Sequence, residues 1–139
     1  MNAYLQLKKR QQDEIDNFPM FFAFSEEQFK KGIQKLNLME NDKDKLYKLG
    51  NTGGFIRKTD SDALSDMFER HSAEMKTAMK DKNFVFEMFD YELANHEYII
   101  TWSVDETLEV LNLTEEEVDN NPILSEGLKK AIEEQFKNN

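Results

Sequence analysis

The chain has 139 residues, a third of them charged, and a formal net charge of −10. It contains no cysteine, which excludes disulfides, thiolate metal sites and a cysteine nucleophile, and suits a reducing compartment. No apolar run approaches the ~20 residues of a membrane span and no N-terminal stretch has the make-up of a targeting segment, so a cytoplasmic protein of one domain, residues 1–139, is expected. Eleven phenylalanines supply much of the core that a chain of this size can bury.

Residues 2–17 form a first predicted helix with few apolar anchors, Leu5, Leu7 and Ile15, so it should pack lightly. Its Lys8-Lys9-Arg10 triplet is too short for a nucleic-acid patch and reads as a solvated face. Pro19 breaks the helix, and Phe21–Phe24 suits a short buried strand. Ser25 with Gln28 three residues later matches a capping box. The helix it opens carries Phe29, Ile33 and Leu36 on one face and should end near Asn37.

Leu46–Leu49 and Phe55–Lys58 alternate on either side of Gly50-Asn51-Thr52-Gly53-Gly54, the pattern of a hairpin. A phosphate-binding loop is the other reading of such glycines. It requires a following Lys-Ser/Thr and a helix N-terminus, and neither is there. The next helix, residues 61–79, has the clearest amphipathic pattern in the chain, with Leu64, Met67, Phe68, His71, Met75, Ala78 and Met79 at three- and four-residue steps.

The densest apolar stretch follows. Asn83–Glu97 predicts a helix apolar over a wide arc and therefore buried on more than one side. Tyr98–Trp102, β-branched and aromatic, predicts a short strand. Ser103 and Glu106 then match a capping box for a short helix, and Thr114 opens another turn with acids where a helix N-terminus favours them. Pro122 suits the first turn of a last helix, residues 122–137. The expectation is an α+β fold, predominantly helical, with a light N-terminal helix, a main body over 18–118 and a small sheet of three or four strands.

The charge is lopsided. Residues 1–83 carry a net +1 and residues 84–139 a net −11. Asp105, Glu106, Glu109, Glu115, Glu116, Glu117 and Asp119 fall within fifteen residues that contain no lysine or arginine. Such a field attracts basic surfaces and repels nucleic acid. The plainer reading is that acidity keeps the chain soluble and caps helices.

Evidence for catalysis is thin. Glu92 and His96 are spaced i, i+4 and share a helical face. With His71 from the preceding helix they offer three nitrogen and oxygen ligands suited to zinc. The plainer reading is a core histidine and a helical hydrogen-bonded pair. His96-Glu97 lacks the second histidine of His-Glu-x-x-His, no Gly-x-Ser-x-Gly occurs, and no carboxylate pair stands out among so many. No cofactor is implied.

In FFAFSEEQFKKG (Phe21–Gly32), GGFIRK (Gly53–Lys58) and YELANHEY (Tyr91–Tyr98) the chain resembles a family of small uncharacterised proteins of Gram-positive bacteria and their phages and plasmids. The resemblance covers roughly residues 18–118. It carries no activity and assigns no residue a role, but it implies a mobile-element context, in which small acidic proteins modulate host nucleic-acid-binding machinery. The combined expectation is a non-enzymatic acidic module binding a basic protein surface. The alternatives are a metal protein using His71, Glu92 and His96, and a homo-oligomeric structural protein.

Overall fold

The computed structural model describes residues 2–137. In chain order they form α1 (Ala3–Asp16), β1 (Met20–Phe22), α2 (Glu26–Lys35), a 3-10 turn (Glu40–Lys45), β2 (Leu46–Leu49), β3 (Gly54–Arg57), a second 3-10 turn (Lys58–Asp60), α3 (Ser61–Ala78), α4 (Lys82–Asn95), α5 (Tyr98–Thr101), α6 (Asp105–Val110), α7 (Glu115–Asp119) and α8 (Pro122–Lys137). The fold is α+β, predominantly helical, with one three-stranded antiparallel sheet in the order β1-β3-β2. The residues divide into two compact units. One joins the chain up to Gln11 to everything from Ser72 onward, and the other is Gln12–His71.

The second unit holds the sheet. The hairpin forms where the alternation places it, with Tyr47 opposite Ile56 and Leu49 opposite Gly54. Gly50 and Gly53 take φ of 54° and 80°, which a residue with a Cβ resists. Because strand side chains alternate, the sheet buries two apolar sets. Phe21 stacks on Phe55 at 5.2 Å between ring centres, and Phe29 of α2 meets both rings edge-on; Ile33 and Leu36 complete that cluster. Met20 and Ile56 pack instead with Leu64 and Met67 of α3. Ser25 caps α2 as expected, its hydroxyl accepting from the Gln28 N–H.

The first unit is built on α4 and α8. Phe84, Val85, Met88, Phe89, Glu92 and Leu93 of α4 are all buried, the wide arc its sequence requires. Asp81 caps it, accepting from the N–H groups of Asn83 and Phe84. α8 comes close because Gly127 has no side chain: a Cβ there would lie 2.4 Å from Val85 Cγ1. Leu108 of α6, Val118 of α7 and Leu124 and Ala131 of α8 close the core, with Tyr4 and Leu7 from α1.

Five expectations need correction. Tyr98–Trp102 is not a strand: residues 98–101 make the single turn α5. All three strands lie in the other unit, and without a ladder to join, β propensity does not make a strand. In α1 the buried residue near the start is Tyr4, while Leu5 is 36% exposed. In α3 Phe68 turns outward at 47% exposure. The strand expected over Phe21–Phe24 is Met20–Phe22; it stops before the capped start of α2, and Phe22 and Phe24 are 54% and 78% exposed. Ser103 and Glu106 form no capping box: Val104 is the N-cap of α6 and no side chain caps it, the Ser103 hydroxyl accepting from the Asp105 N–H instead.

Candidate functional site

All seven clustered acids are exposed. Asp105 and Glu106 occupy the first turn of α6, and Glu115, Glu116 and Glu117 the first turn of α7. Carboxylates there meet the positive end of each helix. Glu117 also completes a capping box: the Thr114 hydroxyl accepts from the Glu117 N–H while the Glu117 carboxylate accepts from the Thr114 N–H. Among the described residues none of the seven pairs with a lysine or arginine; the one ionic neighbour is His96, whose Nδ1 is 3.4 Å from Glu106 Oε2. The field therefore faces water without internal neutralisation.

Behind it lies a buried carboxylate. Glu92 is 1% exposed. Tyr4 donates its phenol hydrogen to Glu92 Oε2 at 2.5 Å, and Lys8 Nζ stands 3.5 Å from the same oxygen. Asn95 donates to Oε1 at 3.4 Å, and His96 Nε2 lies 3.9 Å away. Thr107 donates to the Glu92 carbonyl oxygen, tying α6 to the same turn of α4. Burial, and then the neighbouring Glu92 carboxylate, push the Tyr4 phenol far above its ordinary pKa. It stays a proton donor to Glu92. This geometry is that of a buried polar group whose hydrogen bonds are made.

His71 belongs to the sheet unit. Its Nε2 lies 3.4 Å from Glu14 Oε1. Arg70 grips both oxygens of Glu14 in a fork, and this hydrogen-bonded pairing lowers the Glu14 pKa to about 2. Of the three residues considered for zinc, the structure thus brings Glu92 of α4 and His96, which follows that helix, near each other and sets His71 beside Glu14. Glu14 and Glu92 have hydrogen-bonding and ionic partners that account for them, while the buried Nε2 of His96 has no hydrogen-bond partner among the described residues.

A groove of about 600 Å³ between the starts of α4 and α8 is lined by Lys82, Phe86, Ile123 and Lys130. The amides at both helix starts are already used, by Asp81 and by Asn121, whose Oδ1 accepts from the N–H groups of Ile123 and Leu124. Lys130 is 3.9 Å from Glu126. The groove offers little to an anion.

The sequence reading missed one feature beside the acids. Glu97 and Trp102, at the two ends of α5, have φ of 54° and 58°. Left-handed backbone costs an ordinary residue about 1–2 kcal/mol. Glycine or asparagine would have marked these positions in the sequence; glutamate and tryptophan do not. The strained turn leaves Ile100 74% and Trp102 70% exposed. Trp102 meets Phe136 of α8 edge-on at 5.8 Å, and Tyr98 packs on the same ring at 6.1 Å.

No helix among the described residues is long and apolar enough to cross a membrane. Residues 3–134 match the profile of a family of unknown function (DUF7659). No curated protein and no solved structure matches the chain.

Proposed function

We propose, for a chain that belongs to the family DUF7659, that it is a non-enzymatic acidic module whose α6–α7 face binds a basic protein surface. The observation that supports the reading is the state of the seven carboxylates from Asp105 to Asp119: all exposed, and none paired with a lysine or arginine among the described residues. Such a field raises the encounter rate with basic partners and opposes like-charged ones. The chemistry of the partner follows. A nucleic-acid-binding protein presents a phosphate-matched basic surface, and a row of carboxylates imitates phosphates. In a mobile-element setting such a module would modulate or inhibit a defence nuclease in the cytoplasm.

The test compares the parent with a variant in which the seven acids become Asn or Gln, each used to capture proteins from lysate at 0.1 M and 0.5 M salt. Raising the salt shortens the screening length from about 10 Å to about 4 Å. The parent is expected to retain basic, nucleic-acid-binding proteins at low salt and to release them at high salt, and the variant to retain none. Recovery of no basic partner at low salt, or equal recovery by the variant, overturns the reading.

The metal alternative, His71 with Glu92 and His96, keeps one point in its favour, the pairing of Glu92 with His96, whose Nε2 lies 3.9 Å from Glu92 Oε1. Elemental analysis of purified protein, with melting in chelator, decides it: stoichiometric metal and a lowered melting temperature support it, and no stoichiometric metal with unchanged melting removes it.

A further inference from the structure

The acidic face has an apolar neighbour. Trp102 and Phe136 are both exposed, the latter at 46%, with their rings in edge contact, and Ile100, two residues before Trp102, is exposed as well. Isolated exposed apolar residues are ordinary, but a contiguous aromatic cluster rimmed by polar groups marks a contact surface. Tryptophan is the residue most enriched among interface anchors. The backbone points the same way: two non-glycine left-handed residues, Glu97 and Trp102, hold a four-residue helical turn that keeps Ile100 and Trp102 out of the core. Strain of this kind persists where the surrounding structure enforces it, and it collects at functional sites.

The exposed charges close to these residues along the chain are mostly acidic, Lys137 beside Phe136 being the basic one. Asp105 follows Trp102 by three residues and Glu106 by four, and both are exposed. Glu133 precedes Phe136 by one helical turn and is also exposed. An apolar centre bordered by carboxylates matches a segment with apolar anchors on one side and lysines or arginines on the other, the pattern of a basic amphipathic helix lying on a groove or face.

We infer that the Ile100–Trp102–Phe136 cluster is the docking site for a basic amphipathic helix of a partner protein, with apolar side chains on the aromatic rings and basic ones on the carboxylates of α6. The inference rests on the acidic-module reading and adds to it where the partner sits and which side chains it brings. A second copy of the chain fits less well, because it would set net-negative surfaces against each other. A lipid surface lacks the positive charge that the rim selects.

Trp102 is the only tryptophan, so its fluorescence reports this site alone. The probes are two tryptophan-free peptides of identical leucine, lysine and arginine content. One has its leucines at i, i+3, i+4 and i+7, and in the other the order is scrambled. The parent is expected to bind the amphipathic peptide at least tenfold more tightly than the scrambled one, with a blue shift of Trp102 emission. Ile100→Ser/Phe136→Ser is expected to lose that tenfold preference while its melting temperature stays within a few degrees of the parent. Equal binding of both peptides with unshifted emission overturns the docking site and leaves the acidic module standing. Binding of neither peptide at low salt overturns both. Unchanged amphipathic binding after neutralising the seven acids overturns the basic character of the occupant. An emission shift with protein concentration alone, or with zwitterionic phosphatidylcholine vesicles alone, assigns the face to a second copy or to lipid and overturns the inference.

Discussion

Tyr4→Phe removes one oxygen atom from the interior of the helical unit, and the consequences follow from the burial on both sides of the bond. Tyr4 is 2% and Glu92 1% exposed, and the hydroxyl donates to a carboxylate at 2.5 Å. A hydrogen bond to a charged group contributes about 1.5–3 kcal/mol net, and a buried partner left behind loses its compensation. The remaining neighbours of Glu92 are distant, with Lys8 at 3.5 Å, Asn95 at 3.4 Å and His96 at 3.9 Å. The expected cost of Tyr4→Phe is therefore about 2–3 kcal/mol. With an unfolding entropy of about 2.1 cal/mol/K per residue, that is a fall in melting temperature of roughly 7–10 °C.

The double variant Tyr4→Phe/Glu92→Leu makes the sharper measurement. Removing both polar partners leaves an apolar contact with nothing unsatisfied, and such replacements run from neutral to mildly destabilising. Its cost should fall below the sum of the single costs by about 1.5 kcal/mol or more. Urea melts followed by circular dichroism read all three variants. A Tyr4→Phe cost under about 0.5 kcal/mol, or strict additivity in the cycle, would refute the reasoning. The phenol also sets an alkaline limit. Its folded-state pKa lies above the unfolded value near 10, so its contribution is complete below pH 10. Above that the native state holds a proton the unfolded chain has released, and stability falls by about 1.4 kcal/mol per pH unit from this group. Tyr4→Phe should flatten that limb.

Three further outcomes are expected. Gly127→Ala gains about 1 kcal/mol of helix propensity but drives a Cβ to 2.4 Å from buried Val85; overpacking at about 1–3 kcal/mol should win, with Val85→Ala restoring the loss in a thermal melt. Thr114→Ala breaks the capping box of α7 and should cost about 1 kcal/mol, read as the same change in urea unfolding free energy; no change would mean that packing alone holds this turn. Burial, and then neighbouring Glu134, raise the Asp90 pKa, so ionising it disfavours the fold. Asp90→Asn, which keeps an oxygen for the Gln135 side chain to donate to, should raise the melting temperature at pH 7, with the gap to the parent closing as pH falls toward 4.

What could be read from the sequence, and what could not, divides by distance along the chain. The hairpin was legible because its evidence is local: alternating strands around a glycine cluster predict a turn, and Gly50 and Gly53 take positive φ. The same holds for the Ser25 cap, the Pro122 start and the wide apolar arc of α4. Tyr98–Trp102 failed for the opposite reason. Its strand propensity is real, but a strand is made by its neighbour, and the chain places its strands elsewhere. The exposure of the seven acids followed from their charge alone. The Tyr4–Glu92 bond spans 88 residues, and nothing near either residue announces it; a carboxylate buried on the inner face of α4 requires a donor, and only the fold determines which. Trp102 lies furthest from sequence logic. An apolar aromatic at the end of the densest apolar stretch belongs in the core by every pattern rule. Only the left-handed turn at its own φ, which its side chain disfavours, carries it to the surface beside the carboxylates, and that conflict between local preference and observed position is what marks it for a role beyond packing.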